Sequence, residues 1–212
     1  MRQNPERRAA LLDAAITVLA REGARGLTFR SVDTHAGVPT GTASNYFTNR
    51  DDLLTQVGHR VYERLTPDPD TLAAVHHGPR DHTTLTRLMH ELVDRVTHYP
   101  DGHLALIELR LEATRRPHLR ELLTHRIRAD IDTNIATQLA SGLPGDATTV
   151  ELLYLALNWL ILERLTLPDV FPHHHTLVTE LVTRLTTPTP AVTTRITTTW
   201  TQTDAPHPTP GP

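Results

Sequence analysis

The chain has 212 residues, 38% of them hydrophobic, 4% aromatic and 21% charged, with a formal net charge of −3. That composition is ordinary for a soluble helical protein and allows one large domain or two small ones. The absence of cysteine excludes a disulfide framework, a thiolate zinc site and a cysteine nucleophile.

The N-terminus carries no apolar segment resembling a secretion signal. The longest apolar run, Leu152 to Leu162, contains Asn158 and is too short to span a bilayer, so a cytoplasmic protein is expected. Charge is unevenly distributed. Residues 1–65 hold nine Arg and seven acids, and residues 66–212 hold twelve Arg and seventeen acids. Positive charge therefore gathers at the N-terminal end, which is where phosphate would be met.

The first helix is expected to start at Asn4 as cap, with Pro5 at its first position and Glu6 beside the positive helix end. Leu11, Leu12, Ala15, Ile16 and Leu19 recur at three and four residues and make one apolar face, and Gly23 is expected to stop the helix. Thr28 is a good cap for a second helix over Phe29–His35, with Leu27 and Val32 spaced as a hydrophobic staple. Gly37 can take the left-handed conformation that ends it. Pro39 suits the first position of a third helix, expected over Pro39–Phe47. That short helix carries Thr40, Gly41, Thr42, Ser44, Asn45 and Tyr46, small hydroxyl and amide residues that can enter the major groove. A fourth helix follows Asn49, with Asp51 and Asp52 in its first turn and Leu53, Leu54, Val57, Val61 and Leu65 as its stripe. A core drawn from these four helices alone is too thin to stand well by itself.

At these residues the sequence resembles the DNA-binding domain of TetR-family transcriptional regulators. The resemblance rests on Thr28, Arg30, Val32, Ala36, Gly37, Val38, Gly41, Thr42, Tyr46, Phe47, Arg50 and Leu53 in order, and covers about residues 6–65. It implies that the Pro39–Phe47 helix reads the major groove. It further implies that Thr28, Arg30, Ser44, Tyr46 and Arg50 hold phosphates, and that Thr40, Gly41, Thr42 and Asn45 lie nearest base edges. Ser44 departs from the family, which often has an aromatic residue there; serine still donates to a phosphate but reaches less far.

Residues 68–80 read as a linker with room for a short helix at Thr71–His76. Helical period returns over His82–Tyr99, Gly102–Arg115, Pro117–Ser141, Asp146–Thr166 and His173–Thr186, punctuated by Pro100, Pro117, Gly142, Pro168 and Pro172. The Asp146–Thr166 segment has almost no polar face, so it should be buried nearly all round. A subunit interface through Leu153, Leu157, Leu160, Ile161, Leu177 and Leu181 is the expected second surface, the alternative being the central core helix of a monomer. Beyond Thr187 the chain is Thr/Pro-rich and expected to be disordered.

The fold is thus expected to be all-α: a helix-turn-helix domain over 1–65, a helical ligand-binding and dimerisation domain over 66–187, and a tail over 188–212. Apolar Met89, Leu92, Leu106, Leu109 and Trp159, with His90, His103 and Asn158 to orient a ligand, are the expected small-molecule residues. The trio His90, Asp94 and His98 shares a helix face and could suit zinc or iron, but an amphipathic helix needs some polar face in any case. Three adjacent histidines, His173 to His175, point in different directions and read as a solvated helix start. No metal and no cofactor are expected. The function expected is a ligand-responsive repressor that binds a palindromic operator as a homodimer, not an enzyme. A helical enzyme using the C-terminal cavity and a protein-binding adaptor are the rival classes.

Overall fold

The computed structural model describes residues 4–66 and 79–187. Among them are eight α-helices, one short 3-10 turn and no strand. None of these helices is long and apolar enough to cross a membrane.

Helix α1 (Pro5–Gly26) starts as its sequence dictates. Asn4 Oδ1 accepts from the backbone N–H groups of Glu6 at 2.9 Å and Arg7 at 3.3 Å, and Pro5 loses no bond at the first position. Gly23 interrupts the helix with φ +68° but does not end it; one more turn follows to Gly26. In α2 (Phe29–His35), Thr28 Oγ1 accepts from Ser31 N–H at 3.0 Å and Ser31 Oγ accepts from Thr28 N–H at 2.9 Å. Leu27 and Val32 are both buried beneath that cap. Helix α3 (Arg50–Leu65) is capped by Asn49, whose Oδ1 accepts from Asp52 N–H at 2.9 Å.

The larger part of the chain supplies α4 (His82–Thr97), α5 (Pro100–Ala113), α6 (Pro117–Ser141), α7 (Ala147–Thr166) and α8 (His174–Thr186). Pro100 opens α5 at its first position rather than merely separating two helices, which moves that helix start two residues ahead of the sequence expectation. The expected linker and its helix at Thr71–His76 lie almost wholly outside the described residues, as does the Thr/Pro-rich tail.

Two apolar cores hold these helices. One joins α1, α2, α3 and Phe47 to Ala105, Leu106, Leu109 and Ala113 of α5 and to Leu119 and Leu123 of α6. The N-terminal helices therefore close their core with side chains from the larger part of the chain. Buried Leu106 and Leu109 alone contribute about 1.5–3 kcal/mol each. The other core is built from α4, α7 and α8, with Leu85, Leu88, Val93, Leu153, Leu157, Ile161, Val178 and Val182 buried in it. Leu65, at the end of α3, packs against both.

Two expectations need correction. The expected helix over Pro39–Phe47 is only a 3-10 turn, Ala43–Asn45, flanked by turns. Gly41 sits at φ +93°, outside helical space. Side chains also take the carbonyls that a helix would use: Thr42 Oγ1 donates to Pro39 O at 2.5 Å, Ser44 Oγ to Gly41 O at 2.8 Å and Asn45 Nδ2 to Gly41 O at 3.1 Å. The second correction concerns α7. Leu153, Leu157 and Ile161, expected at a subunit interface, are buried within the protomer against α4 and α8. The opposite face of the helix carries Leu155 and Trp159, which are 64% and 62% exposed, together with Leu152.

Candidate nucleic-acid interface and effector region

The turn between α2 and α3 is built around one acid. Asp33, in α2, is 1% exposed. Its Oδ2 accepts from Gly41 N–H and its Oδ1 from Ala43 N–H, both at 2.7 Å. Bonds from backbone N–H to a carboxylate are among the stronger ones a protein makes, and this pair fixes the turn from both sides. Gly37, at φ +65°, permits the reversal before it, and nothing crowds either Gly37 or Gly41. Sequence reasoning missed Asp33. An acid eight and ten residues from its partners follows no helical or strand period, and the only clue was a charged residue directly after buried Val32 in a short helix.

On this scaffold Thr28, Arg30, Thr40, Gly41, Ser44 and Asn45 are exposed, and Thr42 and Tyr46 are half-buried, with Tyr46 packed on the first core. Thr28 and Arg30 belong to the start of α2, and Thr40 to Tyr46 to the turn that follows it. Arg50 stands apart. Its guanidinium donates to the Ala24 carbonyl in the last turn of α1, so it braces the domain from within and is not directed outward as the sequence suggested.

Ala24 is also held from the other side. Its N–H, freed by the break at Gly23, donates to Glu108 Oε2 of α5 at 3.1 Å. Two further ties join α1 to its neighbours: Thr17 Oγ1 donates to Asp101 Oδ2 at 3.1 Å, and Arg60 of α3 grips both oxygens of Asp13 at 2.9 and 3.0 Å. Burial pushes the Asp13 carboxyl up, but Arg60 and Arg64 outweigh it and hold it below the ordinary carboxylate range. Arg116, at the start of α6, bridges Asp51 of α3 and Glu112 of α5. The helices that present the turn are thus pinned to α5 and to the α5–α6 corner.

The expected small-molecule residues do not converge. Leu106 and Leu109 belong to the first core, whereas Met89 and Leu92 lie half-buried against the second. His90 Nε2 faces Thr179 Oγ1 at 3.1 Å, and its ring stacks on His175 at 5.1 Å. Trp159 faces outward, and Asn158 Nδ2 donates to its own helix at Tyr154 O. His103 is buried at 3% exposure with Nε2 unpartnered; burial, aided by Arg110, lowers its pKa to about 4. The trio His90, Asp94 and His98 is likewise dispersed, since Asp94 accepts from Arg164 at 3.0 Å and His98 Nδ1 lies 2.6 Å from the Asp94 carbonyl. Among the described residues no cluster of three or more His, Cys, Asp or Glu is arranged to hold a metal ion.

The open space near these helices is a shallow, solvent-open cleft of about 390 Å³ between α5, α6 and the Tyr154 side of α7, lined by Arg110, Ala113, Arg120, Leu123, Thr124, Ile127, Arg128, Ile131 and Tyr154. Leu123, Ile127 and Ile131 recur every fourth residue along α6, a stripe that the sequence could have flagged as a pocket wall. A second hollow, about 410 Å³, lies at the α3–α6 corner beside Asp51, Glu112 and Arg116.

Comparison with known proteins gives the family of the chain. Residues 11–57 match the family described as "Bacterial regulatory proteins, tetR family". Residues 80–188 match "Tetracyclin repressor-like, C-terminal domain". The HTH-type transcriptional regulator BetI of Agrobacterium fabrum is 27% identical over 130 residues, which are 60% of this chain and 62% of BetI, so the chain spans under two thirds of that relative. A TetR-family member from Streptomyces coelicolor A3, SCO1917, is 29% identical with a TM-score of 0.61, covering 87% of this chain and all of that one. The multidrug binding protein EbrR, in complex with ethidium, is 28% identical with a TM-score of 0.60, covering 86% of this chain and 99% of its own.

Proposed function

The chain belongs to the TetR family of bacterial transcriptional regulators, and from that premise we propose that it is a homodimeric repressor released from a palindromic operator by a small molecule. The observation that carries this reading is the Asp33-anchored turn, which holds Thr40, Gly41, Ser44 and Asn45 outward on a segment too short to need a full helix. Thr40, Gly41, Thr42 and Asn45 lie nearest the base edges, while Thr28, Arg30, Ser44 and Tyr46 meet phosphates. Two such segments, related by a two-fold axis, engage half-sites one turn apart.

The exposed face of α7 supplies the dimer surface. Leu152, Leu155 and Trp159 are solvent-exposed large apolar residues on one helix, and Leu160, Leu177 and Leu181 border them half-buried. An apolar patch of this kind on a soluble chain marks an interface. Ligand response is supported by EbrR, a relative in complex with ethidium, and by the cleft between α5, α6 and α7. Glu108 and Arg116 provide the coupling, because α5 and its corner with α6 hold the helices that present the turn. A cytoplasmic location follows from that role.

The test is to sequence the DNA fragments that the purified protein retains from a genomic pool. A recovered palindrome with half-sites one helical turn apart is the expected result. Retention of no specific sequence, at low salt and with folded protein, would overturn the reading in favour of a protein-binding helical adaptor.

A further inference from the structure

The cleft between α5, α6 and α7 has apolar walls and an unbalanced charge. Ala113, Leu123, Ile127 and Ile131 form the walls, and of the nine lining residues three are Arg and none is acidic. The three cations are not equivalent. Arg128 is already paired with Asp132 at 2.5 Å and Glu151 at 3.1 Å. Arg110 makes no ion pair among the described residues; its guanidinium donates to the Tyr154 hydroxyl at 2.6 Å, and its Nε is buried with no hydrogen-bond partner. Arg120, exposed at the rim, likewise has no ion pair among the described residues.

A guanidinium beside an apolar surface, with no carboxylate partner among the described residues, leaves its positive charge uncompensated. An anionic head group would neutralise the charge of Arg110 and Arg120, and a carboxylate matches the planar guanidinium fork. An alkyl or aryl body would cover the half-buried Ile127 and Ile131. The volume lies within the range of about 300–1,000 Å³ typical of small-molecule sites.

We propose that this cleft binds an amphiphilic organic anion, a hydrocarbon-bodied acid, with Arg110 and Arg120 on its head group. This rests on the ligand-responsive reading above and gives the effector its chemical class. A lipophilic cation of the ethidium type, held by EbrR, would meet like charge here. The site is also placed to act on DNA binding. Arg110 lies two residues along α5 from Glu108, whose carboxylate accepts the Ala24 N–H of α1. A head group that draws Arg110 away from Tyr154 shifts the helix that clamps the DNA-binding helices.

The experiment titrates the full chain by calorimetry with three probes of equal chain length, all below their micelle concentrations: dodecanoate, dodecanol and dodecyltrimethylammonium. Dodecanoate is expected to bind about tenfold or more tightly than the other two, the difference that one charge-assisted bond provides. Arg110→Met should abolish that preference while leaving dodecanol binding unchanged. Arg120→Glu, at an exposed position that does not threaten folding, should weaken dodecanoate alone. Equal or tighter binding of the cation, or full dodecanoate affinity in both variants, would overturn the assignment. Retained DNA fragments are then challenged with the same probes. Release by the cation alone, with no binding of dodecanoate, would leave the ligand-responsive reading standing and sink the anion. Arg110-dependent dodecanoate binding without release would keep the site and remove its regulatory role.

Discussion

The turn carrying Thr40 to Asn45 and the cleft beside Arg110 treat their polar atoms in opposite ways. In the turn, Asp33 answers two backbone N–H groups, and the hydroxyls and amide of Thr42, Ser44 and Asn45 answer nearby carbonyls. In and beside the cleft, Arg110 Nε and His103 Nε2 are buried without partners. The first region is complete in itself, so its shape is fixed in advance, and the DNA binding proposed for it would lose little ordering entropy. The second leaves two buried polar atoms unsatisfied, which costs stability. Rigid presentation and unsatisfied interior sit on the two ends of the same helix pairings, joined through α5.

The comparison breaks most visibly at Asp33. Asp33→Ala removes both acceptors and should cost about 3 kcal/mol or more, at about 1.5–3 kcal/mol per bond to a charged group. Urea unfolding would read this as a lower midpoint with unchanged slope, and DNA retention should be lost even where the protein stays folded. Asp33→Asn, which keeps one acceptor, should cost roughly half. Wild-type stability with intact DNA retention in Asp33→Ala would show that the turn holds itself.

His103 sharpens the other side. Its pKa falls from 6.5 to about 4 on folding, because burial, and then Arg110, disfavour the imidazolium. Above pH 6.5 both folded and unfolded states leave it neutral. As the pH falls from 6.5 toward 4 the unfolded chain takes up the proton and the folded chain does not, so stability declines across that window by about 3 kcal/mol. His103→Leu should reduce the slope of that part of the pH–stability curve, leaving the share of His90 and His174, whose pKa values burial also lowers, while the contributions of Asp13, Asp94 and Glu112, each held below the ordinary carboxylate range, remain at lower pH. An unaltered slope between pH 6.5 and 4 would show that His103 is not the group responsible.

Smaller effects separate surface from core on α7. Trp159→Asp, at 62% exposure, should leave the protomer folded and weaken self-association by about 2 kcal/mol, as an anchor residue does. Light scattering that still gives a dimer at nanomolar concentration would remove α7 from the interface. The smallest effect is expected of Arg50→Ala. It should lower stability by about 1 kcal/mol through loss of the Ala24 carbonyl bond. The salt slope of operator binding should not change, whereas loss of a true phosphate contact would reduce it by about one unit.

The features legible in the sequence were those written in neighbouring residues. The caps at Asn4 and Thr28, the helix start after Asn49 and the stripe of α1 all follow from spacings of a few positions, whereas Gly23 only kinks the helix that it is expected to stop. The segment Pro39–Phe47 was misread because proline and small residues permit a helix start, but nothing local showed that Asp33 and three side chains would compete for the backbone. On α7 the absence of polar residues predicted burial nearly all round, but only the Leu153, Leu157 and Ile161 face is buried in the protomer, while Leu155 and Trp159 stay exposed; periodicity does not say which face the protomer takes. The cleft was missed for a similar reason: Arg110 and Tyr154 are 44 positions apart, and their meeting is a property of packing.

The core that α1, α2 and α3 share with Ala105, Leu106 and Leu109 bears on how such proteins can be recombined. A DNA-reading head cut out at the end of α3 would leave behind the helix that roofs it and expose an apolar floor. The portable unit is discontinuous, the first 65 residues together with the Pro100–Ala113 helix and its Glu108. A chimera that gives this head to another sensor must therefore carry over, or recreate, the face of a helix that lies in the middle of the recipient's own ligand domain. On the function proposed above, specificity for DNA and specificity for a ligand are consequently not free to drift apart, because one helix is written into both.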